Sequence, residues 1–161
     1  MIFLTVGTLY PFDRLVEFVD QAVEIGYLKD KIFAQIGSSV CKPRNFEYVA
    51  TLERDDYEKC FRESSAIISH AGMGTITMAL RYQKPLLAIP REKKYGEIVN
   101  NHQIDTAEAL GRMGHIQFAR TPDEFKEKIA KLQSFIPAKR NSNKEKIVKF
   151  IQEYLRSVEN A

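Results

Sequence analysis

The feature that most constrains this 161-residue chain is an alternation: short apolar runs closed by turns, with segments of helical periodicity between them. Residues 2–6 are largely apolar and stop at Gly7. That pattern belongs to a strand buried on both faces in a parallel sheet, not to half of a solvent-facing hairpin. Pro11 then suits a first helical turn, and Phe12, Leu15, Val16, Val19, Ala22 and Val23 recur at three- and four-residue spacing until Gly26. The alternation repeats, with further strands expected at 31–36, 46–50, 66–69, 86–89 and 115–118. Helices are expected at 55–63, 75–82 and 101–110, and another opens at Thr121-Pro122-Asp123-Glu124. Lys84-Pro85 ends the third helix, because a residue before proline is pushed out of the helical region. Strands separated by helices in this way predict an α/β fold, a Rossmann-like doubly wound parallel sheet of about six strands.

Length and composition narrow the field further. A single domain of this size buries enough core to need no disulfide staple, and 44% hydrophobic with 28% charged residues is ordinary for a globular chain. Cys41 and Cys60 are too few for a disulfide scaffold, and with three histidines a Cys/His zinc site is not expected. A reducing, cytoplasmic setting fits that cysteine usage. The start lacks a basic region, and no run approaches the roughly 18 apolar residues of a membrane span, so neither a signal peptide nor a spanning helix is expected. The net charge of +3 is too mild to point to nucleic acid. After a polar stretch at 138–143, expected to be mobile, a last helix carries Ile147, Phe150, Ile151, Tyr154, Leu155 and Val158 on one stripe. Six basic residues from Lys139 onward (with Arg140, Lys144, Lys146, Lys149 and Arg156) face three acidic ones, either a solvated face or a strip turned to a membrane or partner.

Open parallel sheets bind ligands outside the carboxyl ends of their strands. That rule selects the loops at Gly7-Thr8, Gly37-Ser38-Ser39, His70–Thr75 and 90–103. The densest is Ser69-His70-Ala71-Gly72-Met73-Gly74-Thr75, where Gly72 and Gly74 permit close approach and the following helix start suits a phosphate. Without a Gly-Lys-Ser/Thr it is not a Walker loop, and a tight turn that binds nothing would use the same glycines. Asn100-Asn101-His102-Gln103 offers the donors and acceptors that sugar hydroxyls require, or simply a helix cap. His70 is the candidate base, or a structural hydrogen-bonder at a strand end. Asp55 and Asp56 are adjacent rather than alternating and read as an early-helix acidic pair, so no metal site is expected.

Thr5-Val6-Gly7-Thr8, the glycine turn with Lys84-Pro85-Leu86 after it, and Asn101-His102-Gln103 together resemble the C-terminal domain of family 28 glycosyltransferases, in order over residues 1–110 and more loosely to the final helix. The likeness is strongest to its small stand-alone subunits. These are the PssE-like proteins of exopolysaccharide and capsule synthesis and the cytosolic subunit of the eukaryotic enzyme adding the second GlcNAc to dolichol-linked sugar.

The resemblance implies the C-terminal half of a GT-B fold split over two chains, with a nucleotide-sugar-binding domain at 1–136 and a stretch and amphipathic helix at 137–161 that pack on it or on a partner. It assigns the donor diphosphate to Gly7, Thr8, Gly72, Met73, Gly74 and Thr75. Uracil and ribose fall to Leu52, Glu53, Arg54 and Met78, and the sugar to Asn101, His102 and Gln103. Relatives commonly carry a glutamate for the ribose where this chain has Met78, with Thr77 the nearby substitute. The implied activity is an inverting, metal-independent hexosyl transfer from a UDP-sugar to a lipid-linked acceptor. It needs no cofactor and takes place at the cytoplasmic membrane face with a membrane-anchored, acceptor-binding subunit. The rival is a non-catalytic enhancer subunit that docks on such a partner without holding donor, and a nucleotide-binding regulator or hydrolase is a more distant third.

Overall fold

A computed structural model describes residues 1–139 and 144–159. Among them six strands form one parallel sheet: β1 (Ile2–Thr5), β2 (Ile32–Gln35), β3 (Glu47–Val49), β4 (Ala66–His70), β5 (Leu86–Ile89) and β6 (Gln117–Phe118). The helices are α1 (Asp13–Glu24), α2 (Arg54–Glu63), α3 (Met73–Arg81), α4 (His102–Arg112), α5 (Pro122–Ile129) and α6 (Lys144–Glu159). The strand order β3-β2-β1-β4-β5-β6 makes the sheet doubly wound, as expected. Thr5 at the end of β1 lies between Gln35 of β2 and Ser69 of β4. The chain first winds outward through β2 and β3, then returns to β4, so the crevice opens between β1 and β4.

Period-two alternation along β1 feeds two cores. Ile2, Leu4 and Val6 pack with Leu15, Val16 and Val19 of α1 and with Phe125 and Ile129 of α5. Phe3 points the other way, with Phe61 of α2, Ile76 and Ala79 of α3 and Ala107 of α4. Its ring meets Tyr57 and Phe61 edge-on at 5.5 and 5.6 Å, and Phe33 in a stack at 6.4 Å. Each such side chain contributes about 1.5–3 kcal/mol when fully buried, so both faces hold the sheet and its loop-bearing edge is fixed.

The apolar runs report burial more faithfully than ladder length. Val6 and Ile36 are fully buried although both lie past the last paired residue of their strands. α3 begins at Met73 rather than Thr75, because Gly72 is extended (φ −86°, ψ 132°) and its carbonyl accepts the Ile76 N–H. It ends at Arg81, ahead of the proline, with Gln83 in the left-handed region at φ 51°. The Thr121–Glu124 capping box at the start of α5 is formed from both sides. The polar loop after β5 holds a 3-10 turn, Lys93–Tyr95, closed by Gly96 at φ 70°.

In the stretch expected to be mobile, the Ala138 N–H donates to Gly114 O at 2.8 Å and its carbonyl lies 2.9 Å from His115 Nδ1. Residues 140–143 lie outside the described residues. In α6 the apolar stripe is exposed, from Ile147 to Val158. Among the described residues no helix is long and apolar enough to cross a membrane.

Candidate functional site

A cavity of about 720 Å³ opens at the carboxyl ends of β1 and β4. Gly7 and Thr8 reach it from the β1 loop, Leu52 and Arg54 from the start of α2, Gly74, Thr75 and Met78 from α3, His102 and Gln103 from α4, and His70 from the end of β4. Four residues assigned by the resemblance, Glu53, Gly72, Met73 and Asn101, do not line it. Its walls contain Arg54 and Arg91 but no aspartate or glutamate, a composition that suits an anion.

The start of α3 is the part best shaped for one. No side chain caps the helix at Gly72. The amides of Met73, Gly74 and Thr75 are the first-turn donors that a helix leaves without internal partners. Two glycines of this turn have different reasons to be there. A Cβ on Gly72 would sit 2.2 Å from His70 Nε2, and one on Gly7, at φ 78°, 3.0 Å from His70 Cε1. Both therefore make room for the imidazole. A Cβ on Gly74 would meet nothing within 4 Å. Nothing in the fold requires that glycine, and its bare face opens onto the cavity.

His70 is held by this packing and by Ser69, whose Oγ lies 3.1 Å from His70 Nδ1 and donates to Thr5 O. Burial, reinforced by the nearby Arg91 charge and opposed by a backbone contact at Thr5, lowers its pKa from 6.5 to about 4. Burial thus favours the neutral imidazole, and the ring fills the space between the turns at Gly7 and Gly72.

The residues assigned to the sugar are more preoccupied. Gln103 is buried and its Oε1 accepts the Arg91 N–H at 3.0 Å. Asn101 is turned to the preceding loop, its Oδ1 accepting the Lys93 N–H at 2.9 Å. His102 is exposed, with Nδ1 against Asn100 Oδ1. At the ribose position Met78 is half-buried on the wall, while Thr77 is exposed and off the lining. Among the described residues no three His, Cys, Asp or Glu side chains gather as a metal-holding group.

Among the lining residues to which sequence reasoning gave no role are Gln35, Tyr57 and Arg91. Gln35 closes β2 and its Oε1 accepts the Leu52 N–H at 2.9 Å, fixing the segment assigned to uracil. Tyr57 places its hydroxyl 3.3 Å from Thr5 Oγ1. Arg91, immediately after the Pro90 that stops β5, is buried. A polar residue ending an otherwise apolar strand was the available signal for Gln35, whereas Arg91 was hidden in a loop full of other charges.

Comparison with known proteins bears on the family and the fold. The model of the glycosyltransferase family 28 C-terminal domain matches residues 1–156. The human UDP-N-acetylglucosamine transferase subunit ALG13 is 32% identical over 126 residues, 71% of this chain and 10% of that protein. The chain thus spans about a tenth of the length of that relative. Among solved structures, the solution structure of ALG13 aligns with a TM-score of 0.59 at 18% identity, covering 89% of this chain and 91% of the other. Acinetobacter baumannii MurG aligns at 0.58 and 21%, covering 94% of this chain and 49% of that one. At these identities the structures speak for the fold alone.

Proposed function

We propose, from the premise that this chain belongs to the glycosyltransferase family 28 C-terminal domain family, that it is the donor-binding part of a UDP-sugar-dependent hexosyltransferase acting on a lipid-linked acceptor. One observation carries the reading: the uncapped start of α3, with the open face of Gly74, looks into a carboxylate-free cavity at the switch point of the sheet. The name of the human relative makes UDP-N-acetylglucosamine the first donor to test. An exopolysaccharide or capsule setting draws no support from that relative.

In the proposed reaction the acceptor hydroxyl oxygen bonds to the anomeric carbon as the bond to UDP breaks, and the electron pair leaves with UDP. The amides of Gly74 and Thr75 would meet the charge that builds on the departing diphosphate, with the hydroxyls of Thr8 and Thr75 beside them. The acceptor's proton goes to a base outside this cavity, since His70 is poorly suited to take it. A membrane-anchored subunit would supply that base and the acceptor site, leaving this chain peripheral at the membrane face.

Titration of the purified chain with UDP tests the reading. Binding is expected, and Gly74→Val should weaken it by about tenfold or more by filling the space at the first-turn amides. No binding by the wild-type chain would favour the second reading, an enhancer subunit that docks without donor, for which Met78 at the ribose position is the specific support.

A further inference from the structure

Arg91 is 3% exposed, yet neither of its nearest hydrogen-bond partners is a carboxylate. Its Nη2 donates to Val6 O and to Tyr10 O, both at 2.7 Å, bridging the two ends of the segment that carries Gly7 and Thr8. The guanidinium carbon lies 4.8 Å from the centre of the Phe12 ring, which fixes the side chain from one face. The Arg91 N–H is bound to Gln103, so the same residue ties the β1 loop to the start of α4. Its Nε is buried with no hydrogen-bond partner. Burial lowers its pKa only to about 10, with Glu97 opposing, so the group stays cationic at neutral pH.

An apolar side chain would fill this position without the desolvation that a buried charge incurs. A guanidinium adds two things an apolar residue cannot: a single Nη2 amino group that holds two carbonyls in one register, and positive potential on the wall of a cavity without carboxylates. Both act where the proposed ligand carries its negative charge.

We propose that Arg91 is a positioning residue for the phosphate end of the donor site: it holds the Val6–Tyr10 loop in its anion-receiving shape and adds the positive field that selects a nucleoside diphosphate over the bare nucleoside. The inference rests on the donor-site reading above. It goes beyond that reading by assigning the phosphate-dependent share of affinity to a residue outside the glycine turn.

The test is a titration of the ¹⁵N-labelled chain with UDP and, separately, with uridine, for wild type, Arg91→Met and Arg91→Lys. The amide spectrum reports folding and binding together. Arg91→Met is expected to weaken UDP by about ten- to a hundredfold, the range of a charge-assisted contact, with uridine affinity unchanged within about twofold. Should Arg91→Met fail to give a folded spectrum, Arg91→Lys keeps the charge but loses the planar group that lies over the Phe12 ring and sets Nη2 between the two carbonyls, and is expected to weaken UDP by about threefold or more, again sparing uridine. Equal losses for both ligands would make Arg91 merely structural and overturn the proposal, as would UDP affinity unchanged in the folded variant. If the wild-type chain binds uridine and UDP equally, Arg91 has no phosphate role even though the pocket is real. If it binds neither, the donor-site reading itself fails.

Discussion

Arg14 and Arg91 lie near the same edge of the sheet, and both are largely withdrawn from water, but their charges are handled in opposite ways. Arg14 donates from Nε and Nη2 to the two carboxylate oxygens of Glu97, at 2.6 and 2.8 Å. Beside it Glu92 accepts from Arg120 at 3.2 and 3.1 Å and pairs with Lys94 at 3.1 Å. The second cavity, about 480 Å³ and lined by Arg14, Glu92, Lys94, Arg120 and Glu124, thus has its cations paired, Arg14 with Glu97 outside the lining and Lys94 and Arg120 with Glu92. Arg91 is held by carbonyls, in a cavity whose walls carry no acid. Two hollows with similar cations therefore differ in what they can receive. The presence of arginine does not mark an anion site; the absence of a matching carboxylate does.

The largest expected effect tests the paired side. Arg14→Met leaves Glu97, with a side chain only 10% exposed, without its guanidinium, and should destabilise the chain by about 3–5 kcal/mol in urea titration. Arg14→Met with Glu97→Met should recover most of that loss. A cost below about 1 kcal/mol for the single change would mean the pair is solvated and the contrast false.

Acid titration separates the two regions by window. The pKa of His70 is about 4 in the folded chain against 6.5 ordinarily, so folding favours its neutral form. Its contribution, up to about 3 kcal/mol, is complete above the ordinary value and is lost as pH falls from 6.5 through about 4. The Glu92 carboxyl is held below its ordinary 4.5, chiefly by Arg120, so its share is present above 4.5 and fades only as pH falls further. Thermal midpoints should therefore begin to drop below about pH 6.5, and His70→Asn should flatten that upper portion alone. A wild-type profile level down to pH 5 would show that the imidazole is not sequestered.

The smallest effects distinguish two glycines of one turn. Gly72→Ala drives a methyl against the His70 ring and should cost about 1–3 kcal/mol. Gly74→Ala enters open space in the first turn of α3 and should instead stabilise the fold by up to about 1 kcal/mol. Matching signs for the two changes, measured by thermal melts, would remove the distinction between a glycine that serves packing and one that leaves room for a ligand.

Local periodicity made the fold legible. The six strands, the two-sided core and the capping box at Thr121 all follow from residues within a few positions of one another. The candidate site was legible at the glycine turns, where Gly7, Gly74 and Thr75 line the cavity. It was opaque where contacts span the chain: Arg91 meets Val6 and Tyr10 across 85 and 81 positions, and no neighbouring residue announces it. The reading of Asn101 as a sugar ligand rested on its amide chemistry and on the resemblance, and neither foretold that its Oδ1 accepts the Lys93 N–H from the loop after β5.

The unobstructed surface at Gly74 has a consequence for interpreting other chains of this shape. A bulkier letter there would pass every screen that looks for lost expression, solubility or melting temperature, since it collides with nothing in the scaffold. Such a chain could persist as a well-folded but silent subunit, and that single position would be an economical place to begin sorting working copies from mute ones.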